Sequence, residues 1–386
     1  MRTSKLSVLV LGMLLLLGSL VSAQTRAKAA SELEAGLRNR LEKILAETPY
    51  PGLSFAASLS DGTELALAVG LADRRGEDRL TPEHRMPSGS IGKTWVAAIL
   101  LQLCAEDVLS LDDPVSKWLG DLDWYSKLPN AKTITVRSLA RHTSGIPEHV
   151  YDPRLPKALL EDPDRTFEPE ELVAFILDQP AHFEADQGWS YADTNYIVLG
   201  MVIEAAAKKP YEDLLRERLL KPCGLDRTEP ALKRRLEGLA GGHVGAQNPF
   251  GFPEDSVEDG AFVINPQFEW TGGGIVTTPR QLARWGRLLL TGDVIPESLQ
   301  ETHRDGVAAK TGPGDRYAIG LQIRRSPHGE VLGHSGFYPG TLSELGYYRD
   351  HDLSLALQGN SSDLAKIRKP MRVHLDALAG VILEER

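Results

Sequence analysis

Ser90 and Lys93 are the residues of this 386-residue sequence whose types and spacing most directly suggest chemistry. They lie in the stretch PSGSIGKTW (87–95), which leads into the apolar run VAAILLQLCA. Residues three apart at the start of a helix share one face, so the hydroxyl and the amine would meet. A partly desolvated lysine can accept a proton, and a serine beside such a base becomes a nucleophile. The alternative is that Ser90 or Ser88 caps the helix while Lys93 reaches the surface.

Two later stretches carry polar groups that could join this pair. The first, GWSYADTNYIVLG (188–200), places Tyr191 and Asp193 immediately before an apolar helical run. A tyrosine beside a lysine can act as a general acid or base, although a buried tyrosine followed by a helix cap is the simpler explanation. The second, VLGHSGFYPG (331–340), places His334-Ser335-Gly336 at the end of a predicted strand. Small and polar residues there suit an edge strand that aligns a substrate, and a plain turn is the alternative.

In this order, the three motifs resemble those of the serine β-lactamase and penicillin-binding protein superfamily, and specifically its class C β-lactamase-related group. The resemblance extends over nearly the whole chain after residue 23. Three connecting segments also resemble that group, namely TITVRSLARHTSGIP (133–147), WTGGGIVTTPRQLARWGRLLL (270–290) and YAIGLQI (317–323). The group contains D,D-carboxypeptidases, D-amino-acid amidases and esterases. The resemblance therefore implies a serine hydrolase that works through an acyl-enzyme.

The resemblance also implies a role for each matching residue. Ser90 matches the acylated nucleophile, and Lys93 and Tyr191 match the residues that move its proton. The backbone N–H groups of Ser90 and Phe337 match the oxyanion hole, which stabilises the negative charge that develops on the substrate oxygen. The remaining matches are expected to bind substrate and are Asp193, His334, Ser335 and Gly336.

Two of these positions depart from the family pattern. Asp193 stands where the family has asparagine, and an ionised carboxylate accepts hydrogen bonds but donates none. His334 stands where lactamases have a lysine, and a histidine is largely neutral near pH 7. Both changes weaken recognition of a β-lactam. The sequence therefore favours cleavage of an ester or amide, in a D-amino-acid peptide or a small ester. A true β-lactamase is one alternative, and a non-catalytic peptidoglycan-binding or sensing protein of the same fold is another.

Three other stretches imitate family motifs and are set aside. Lys310-Thr311-Gly312 spells the lactamase K-T-G, but it stands next to Pro313-Gly314 and indicates a loop. His243-Val244-Gly245 lies in a glycine-rich loop, and Phe167-Glu168-Pro169-Glu170 is typical of a helix start. Metal-ligand spacings and nucleotide-binding glycine motifs do not occur in the sequence, so we expect no metal and no cofactor.

The elements that must position these residues follow from strand patterns near both ends of the chain. GLSFAASL and TELALAVGLAD flank the turn Ser60-Asp61-Gly62, and the last third contains two more hairpins. Helical patterns cover 27–46 and about 362–384. The pattern predicts an α+β fold, in which both chain ends build an antiparallel sheet covered by helices. Residues 24–85 and 266–386 would form this sheet subdomain, with 86–265 inserted as a mostly helical subdomain.

The first 23 residues have the basic start, apolar run and small-residue cleavage site of a secretory signal peptide. We therefore expect an exported protein, periplasmic or secreted, with no membrane span after cleavage. The net charge of −10 argues against a nucleic-acid partner, which leaves a small-molecule or peptide substrate. Cys104 and Cys223 are too few for a disulfide framework, and we expect both to be unpaired. The sequence does not specify an oligomeric state.

Overall fold

An eight-stranded antiparallel sheet forms the centre of the computed structural model, which describes residues 28–177, 179–248 and 250–385. The strands are β1 (Gly52–Ser58), β2 (Glu64–Gly70), β3 (Met86–Pro87), β4 (Glu229–Pro230), β5 (Val257–Glu258), β6 (Ala261–Phe262), β7 (Ile275–Thr277), β8 (Val307–Ala308), β9 (Arg316–Tyr317), β10 (Gln322–Ser326), β11 (Gly329–Tyr338), β12 (Thr341–Tyr348) and β13 (Leu353–Gly359). The order in the large sheet is β2-β1-β13-β12-β11-β10-β9-β8. Strands from both ends of the chain therefore pair, as predicted, and the α+β fold class is confirmed.

The helices cover the sheet and fill the middle of the chain. They are α1 (28–46), α2 (Lys93–Ala105), α3 (Ser116–Leu119), α4 (Val136–Ala140), α5 (Arg154–Glu161), α6 (Pro169–Ala174), α7 (Asp193–Ala207), α8 (Tyr211–Leu215), α9 (Trp270–Gly273), α10 (Pro279–Thr291), α11 (Glu297–Arg304) and α12 (Met371–Glu384). Most of the region between β2 and β7 is helix and loop. The division of the chain into subdomains at residues 85 and 265 stays a prediction.

Each face of the sheet is packed against helices through apolar side chains. Leu37, Leu41 and Ile44 lie at helical spacing on α1 and are buried with α12 against one face. On the other face, α10 packs against β1 and β13, and its Trp285 stacks on Trp95 of α2 with ring centres 5.0 Å apart. This stacking ties α2, the helix that follows the predicted nucleophile, to the sheet.

The C-terminal helix is shorter than its sequence pattern suggests. The prediction placed its start near residue 362, whereas α12 begins at Met371, with Pro370 in extended conformation before it. Proline disfavours helical geometry in the residue that precedes it, so a helix cannot continue backwards through Lys369. Residues 364–370 consequently lie outside the helix, with a turn at 364–366, and this segment borders the candidate site described below.

The predicted signal peptide, residues 1–23, lies outside the described residues. Within the part of the chain that the structure describes, no helix is long and apolar enough to cross a membrane. Cys104 and Cys223 are both free thiols, as expected, and burial raises the pKa of Cys104 to about 11.

Candidate active site

Ser90 lies in a short 3-10 turn, Gly89–Gly92, that leads directly into α2. Gly89 has a φ of +54°, a left-handed conformation that glycine adopts without strain. A Cβ atom at this position would lie 2.5 Å from the backbone nitrogen of Phe337. The turn that carries Ser90 therefore packs directly against β11, backbone on backbone. This contact brings the two predicted oxyanion-hole residues, Ser90 and Phe337, to the same place.

The end of β11 presents a free edge to this turn. Pairing with β10 ends at Gly333, whereas pairing with β12 continues to Tyr338. The prediction of an edge strand is thus correct only for the last residues, because β11 as a whole is the fifth of eight strands. A Cβ atom on Gly336 would lie 1.9 Å from the carbonyl oxygen of Ser88, so this glycine is required for the close approach.

The Lys93 side chain is fully buried (0% exposed), and its amine is surrounded by hydrogen-bond acceptors. Its Nζ lies 3.1 Å from the Ser90 hydroxyl oxygen and also contacts the carboxylate of Asp193 and the carbonyl oxygen of Gly272. An ammonium group has three N–H donors and no acceptor. The Asp193 carboxylate and the Gly272 carbonyl oxygen are acceptors, whereas the Ser90 hydroxyl can either accept from the amine or donate to it. The arrangement therefore places Lys93 between the predicted nucleophile and a carboxylate.

Tyr191 lies on the other side of the same ammonium. The Lys93 Nζ is 5.0 Å from the centre of the Tyr191 ring, within the range of a cation–π interaction. Burial, and then the negative charge of Asp193, raise the pKa of Tyr191 well above 10. Its phenol is therefore protonated at neutral pH and is suited to donate a proton rather than to start as a base.

His142 holds the loop that presents Tyr191, and sequence reasoning did not identify it. Its carbonyl oxygen accepts the N–H of Ser190 at 3.1 Å, and its Nδ1 accepts the N–H of Ala192 at 3.4 Å. The imidazole ring also packs against Tyr191, with ring centres 4.3 Å apart. Burial and the charge of Lys93 keep the pKa of His142 well below 6.5, so the ring stays neutral. It positions Tyr191 without adding a second cation.

Three carboxyl groups line the cavity of about 260 Å³ next to Ser90: Glu148, Asp193 and Glu269. Burial tends to raise the pKa of Glu148, but its His149 contact and the N–H of Asp193, donated at 2.6 Å, outweigh burial and lower it. Burial raises the pKa of Asp193, against the opposite influence of Lys93. Burial and Asp193 together raise the pKa of Glu269 to about 8. We call this cavity the acidic pocket.

Apolar side chains form the rest of the acidic pocket. They include Leu155, Leu159, Phe250, Phe252, Phe268 and Phe337. The pocket therefore combines a cluster of carboxyl groups with an apolar wall large enough for an aromatic or aliphatic side chain. Only Asp193 among its carboxyl groups was a predicted site residue. Glu148 lies in a loop and Glu269 ends a short 3-10 helix, Pro266–Glu269, both far from the motifs in sequence, and no local pattern marks them.

His334 and Ser335 lie on β11 beside Ser90 but differ in what they present. The His334 imidazole is 1% exposed; its Nδ1 lies 2.7 Å from the Ser335 carbonyl oxygen and its Nε2 lies 2.9 Å from the Tyr317 hydroxyl. Because a carbonyl oxygen only accepts, Nδ1 carries the proton. Burial and Lys93 lower the pKa of His334 to about 3, so it is neutral. The Ser335 hydroxyl donates to Glu344 at 2.8 Å.

The stretches set aside from the sequence lie where the loop and helix-start interpretations put them. Lys310 and Thr311 form a turn after β8, and His243 lies in a loop beside the Glu254 carbonyl oxygen. Glu168 caps the start of α6 in a capping box with Glu171. Among the residues described, no group of histidine, cysteine and carboxylate side chains is arranged to hold a metal ion.

Comparison with protein-family models gives a match over most of the chain. The model described as Beta-lactamase matches residues 37–379. The chain belongs to the beta-lactamase family. The matched region contains every predicted site residue, from Ser90 to Phe337, so the resemblance found in the sequence motifs is confirmed.

Curated relatives of this beta-lactamase family member have related names. The chain is 24% identical to penicillin-binding protein 4* of Bacillus subtilis over 306 residues, covering 77% of this chain and 65% of the relative. It is 27% identical to D-aminopeptidase of Brucella anthropi over 341 residues, covering 84% of this chain and 60% of the relative. The chain thus spans less than two thirds of the length of either relative.

Solved structures resemble the chain over nearly their full length. A D-stereospecific amidohydrolase from Streptomyces sp. has 31% identity and a TM-score of 0.73, covering 85% of this chain and 94% of that one. The D-amino acid amidase from Ochrobactrum anthropi SV3, complexed with D-phenylalanine, has 25% identity and a TM-score of 0.79, covering 92% of this chain and all of that one.

Proposed function

We propose that the protein is an exported serine hydrolase that forms an acyl-enzyme on Ser90 and cleaves the amide bond of a D-amino acid amide or short peptide with a free amine. The observation that carries this proposal is the acidic pocket beside the Ser90–Lys93 pair. The signal-peptide pattern of residues 1–23 supports the export part of the proposal.

The charge of the acidic pocket favours a cationic substrate. The lowered pKa of Glu148 keeps this carboxylate charged near pH 7, whereas Asp193 contacts Lys93, and Glu269, with a pKa of about 8, is mostly protonated. An α-ammonium group would gain Glu148 as a charged partner, and a carboxylate on the acyl group would be repelled by it. A neutral His334 does not itself supply the positive charge that a lysine at this position gives a β-lactam carboxylate. The carboxyl groups beside Ser90 therefore carry the ranking of an amine-bearing amide above a β-lactam as the substrate.

The names of the related proteins support the same substrate class. A D-aminopeptidase, a D-stereospecific amidohydrolase and a D-amino acid amidase are all similar to this chain. An amine-bearing substrate fits the acidic part of the pocket, and its side chain would pack against the apolar wall. The D configuration is inferred from these names rather than from the pocket.

In the proposed acylation step, the Ser90 hydroxyl oxygen attacks the amide carbon. Lys93 first passes a proton to Asp193, whose raised pKa makes it a better acceptor, and then takes the proton of Ser90. The N–H groups of Ser90 and Phe337 stabilise the oxyanion. The C–N bond then breaks, the leaving amine takes a proton from Tyr191, and Lys93 returns a proton to the phenol. Water releases the acyl group by the reverse of this route.

The test compares hydrolysis of D-phenylalaninamide with hydrolysis of its N-acetylated form, which has no cationic amine. We expect ammonia release from the free amine to be at least about tenfold faster, a ratio that corresponds to about 1.4 kcal/mol. L-phenylalaninamide tests the stereochemical part, and benzylpenicillin tests the lactamase alternative.

Ser90→Ala is the matched control, analysed by intact mass for an acyl adduct. We expect the variant to form no adduct and to have no measurable turnover. Wild-type activity in this variant would contradict the acyl-enzyme on Ser90. Equal rates with the free and acetylated amides would contradict the role of the acidic pocket, and rapid loss of benzylpenicillin would favour a β-lactamase.

A further inference from the structure

A second cavity, of about 520 Å³, also opens at Ser90 but contains different chemistry. It shares Ser90, Tyr191 and Phe337 with the acidic pocket. From there it continues along 334–336 of β11 to residues 367–370, the segment before α12. We call it the basic groove. A substrate bound over Ser90 with its acyl part in the acidic pocket has its leaving group available to this second cavity.

Two cations without carboxylate partners line the basic groove. Arg368 and Lys369 are both exposed, and no carboxylate of the described residues lies within ion-pairing distance of either. Lys366, two residues earlier, differs because it pairs with Asp363 at 2.9 Å. The pair at 368 and 369 is therefore available to a ligand, whereas its neighbour is already neutralised.

The carboxyl group in the lining of the groove does little to cancel this charge. Glu344 is 3% exposed and accepts a hydrogen bond from Ser335, and the Arg324 guanidinium lies 3.9 Å from it. Burial raises the pKa of Glu344 to about 7 against the lowering influence of Arg324, so part of the population is neutral near physiological pH. His334 and Tyr191, which also line the groove, are neutral as well, since the pKa of His334 is about 3 and that of Tyr191 is well above 10. The net charge facing a ligand in this groove is positive.

We propose that the basic groove binds a carboxylate on the leaving group, so that the preferred substrate is a short peptide with a free amine at one end and a free carboxylate at the other. This inference rests on the proposed function, because it assumes that the amine end occupies the acidic pocket. Arg368 and Lys369 supply the positive charge that a lysine at position 334 would otherwise supply. The enzyme then acts on a zwitterionic peptide in preference to a simple amide.

The test uses three substrates that differ only in the leaving group: D-phenylalanylglycine, its C-terminal amide, and D-phenylalaninamide. We expect the wild-type protein to prefer the free acid over the peptide amide by about tenfold in kcat/KM, since only the free acid can form exposed ion pairs with the two cations. The preference should decrease as salt is raised from low concentration to 0.5 M.

The variant Arg368→Glu/Lys369→Glu should lose or reverse this preference, whereas Arg368→Lys/Lys369→Arg should keep it. Arg325→Glu, which changes an exposed cation of β10 outside the groove, should retain the wild-type ratio. Equal cleavage of the acid and the amide by the wild-type protein, or an unchanged ratio in the charge-reversed variant, would overturn the inference. Cleavage of D-phenylalaninamide tests the proposed function separately, because this substrate has no carboxylate. If the protein cleaves a p-nitrophenyl ester but none of the three substrates, both proposals fail.

Discussion

The two walls of the catalytic cleft hold their functional groups in different ways. On the helical wall, Lys93 and Asp193 project side chains from the start of α2 and α7 and contact each other. On the strand wall, β11 contributes mainly backbone, since the His334 side chain is buried against Tyr317. In the proposed mechanism, the side chains of the helical wall move protons, and the backbone of the strand wall aligns the substrate.

Because of this difference, we expect substitutions in the two walls to change different properties of the enzyme. Side chains that exchange protons affect the rate of the chemical step, so their loss should lower kcat with every substrate that needs the proton they carry. Side chains of the strand wall support a surface that the substrate lies against, and their loss should mainly change KM, specificity or stability. The following predictions test this division, beginning with the largest expected effect.

Replacing Lys93 should have the largest effect after loss of the nucleophile. Lys93→Met removes the proton carrier, and we expect kcat for p-nitrophenyl acetate to fall by about 10³- to 10⁴-fold, the upper range for acid–base groups. Lys93→Arg is the informative control, because arginine keeps the charge beside Asp193 but does not give up its proton. Circular dichroism would show whether each variant is folded. A folded Lys93→Arg variant with wild-type activity would mean that this position supplies only charge.

Tyr191→Phe removes one hydroxyl and keeps the ring that packs against His142. We expect kcat for D-phenylalaninamide to fall by about 10²-fold, because the amine leaving group needs a proton. Hydrolysis of p-nitrophenyl acetate should be much less affected, since p-nitrophenolate leaves without protonation. Parallel assays of the two substrates measure this difference. An equal loss with both would assign Tyr191 to serine activation instead.

Asp193→Asn restores the family residue and removes one negative charge from the acidic pocket. We expect kcat to fall about tenfold with both amide and ester, because Lys93 loses its proton acceptor. KM should rise only for the substrate with a free amine, and benzylpenicillin should acylate Ser90 faster than in the wild type. Steady-state kinetics and intact mass follow these changes. An increase in amide turnover would contradict the proton route through Asp193.

The smallest of the predicted effects concerns the strand wall, and it is a change in how the stability of the protein depends on pH. Burial raises the pKa of Glu344 from 4.5 to about 7, so the folded protein holds a proton that the unfolded chain has already lost in this range. The wild type should therefore lose stability relative to Glu344→Gln as pH rises from about 4.5 to about 7, by at most about 1.4 kcal/mol per pH unit. Urea unfolding at pH 5, 6, 7 and 8 measures this. A constant difference across the range would argue against the shifted pKa.

The helical wall could be predicted from sequence because its spacing is local. Ser90 and Lys93 are three residues apart, and Tyr191 and Asp193 stand together before α7, so short motifs identified them. The chain fold brings together residues with no such spacing, as in the contact between Lys93 and the carbonyl of Gly272, 179 residues away. Glu148 and Glu269 reach the pocket in the same way. Their burial and shifted pKa values arise only from tertiary packing, which a single sequence does not display.

The sheet was also predictable, because alternating apolar residues and turn signals mark each hairpin locally. The start of the C-terminal helix was harder to predict. The helical pattern extends to residues before Pro370, whereas α12 begins only after this proline. Predicting too long a helix also hid part of the site, because residues 367–370, assigned to that helix, line the basic groove. Arg368 and Lys369 were therefore not recognised as site residues.

The contact between the Ser90 turn and β11 has a mechanical consequence. Gly89 and Gly336 allow backbone to touch backbone, with no side chain between them to rotate or compress. The distance between the N–H groups of Ser90 and Phe337 then depends on how the whole sheet packs against α2. A mutation in the packing of α10 or α12, far from the cleft, can change that distance as directly as one beside Ser90.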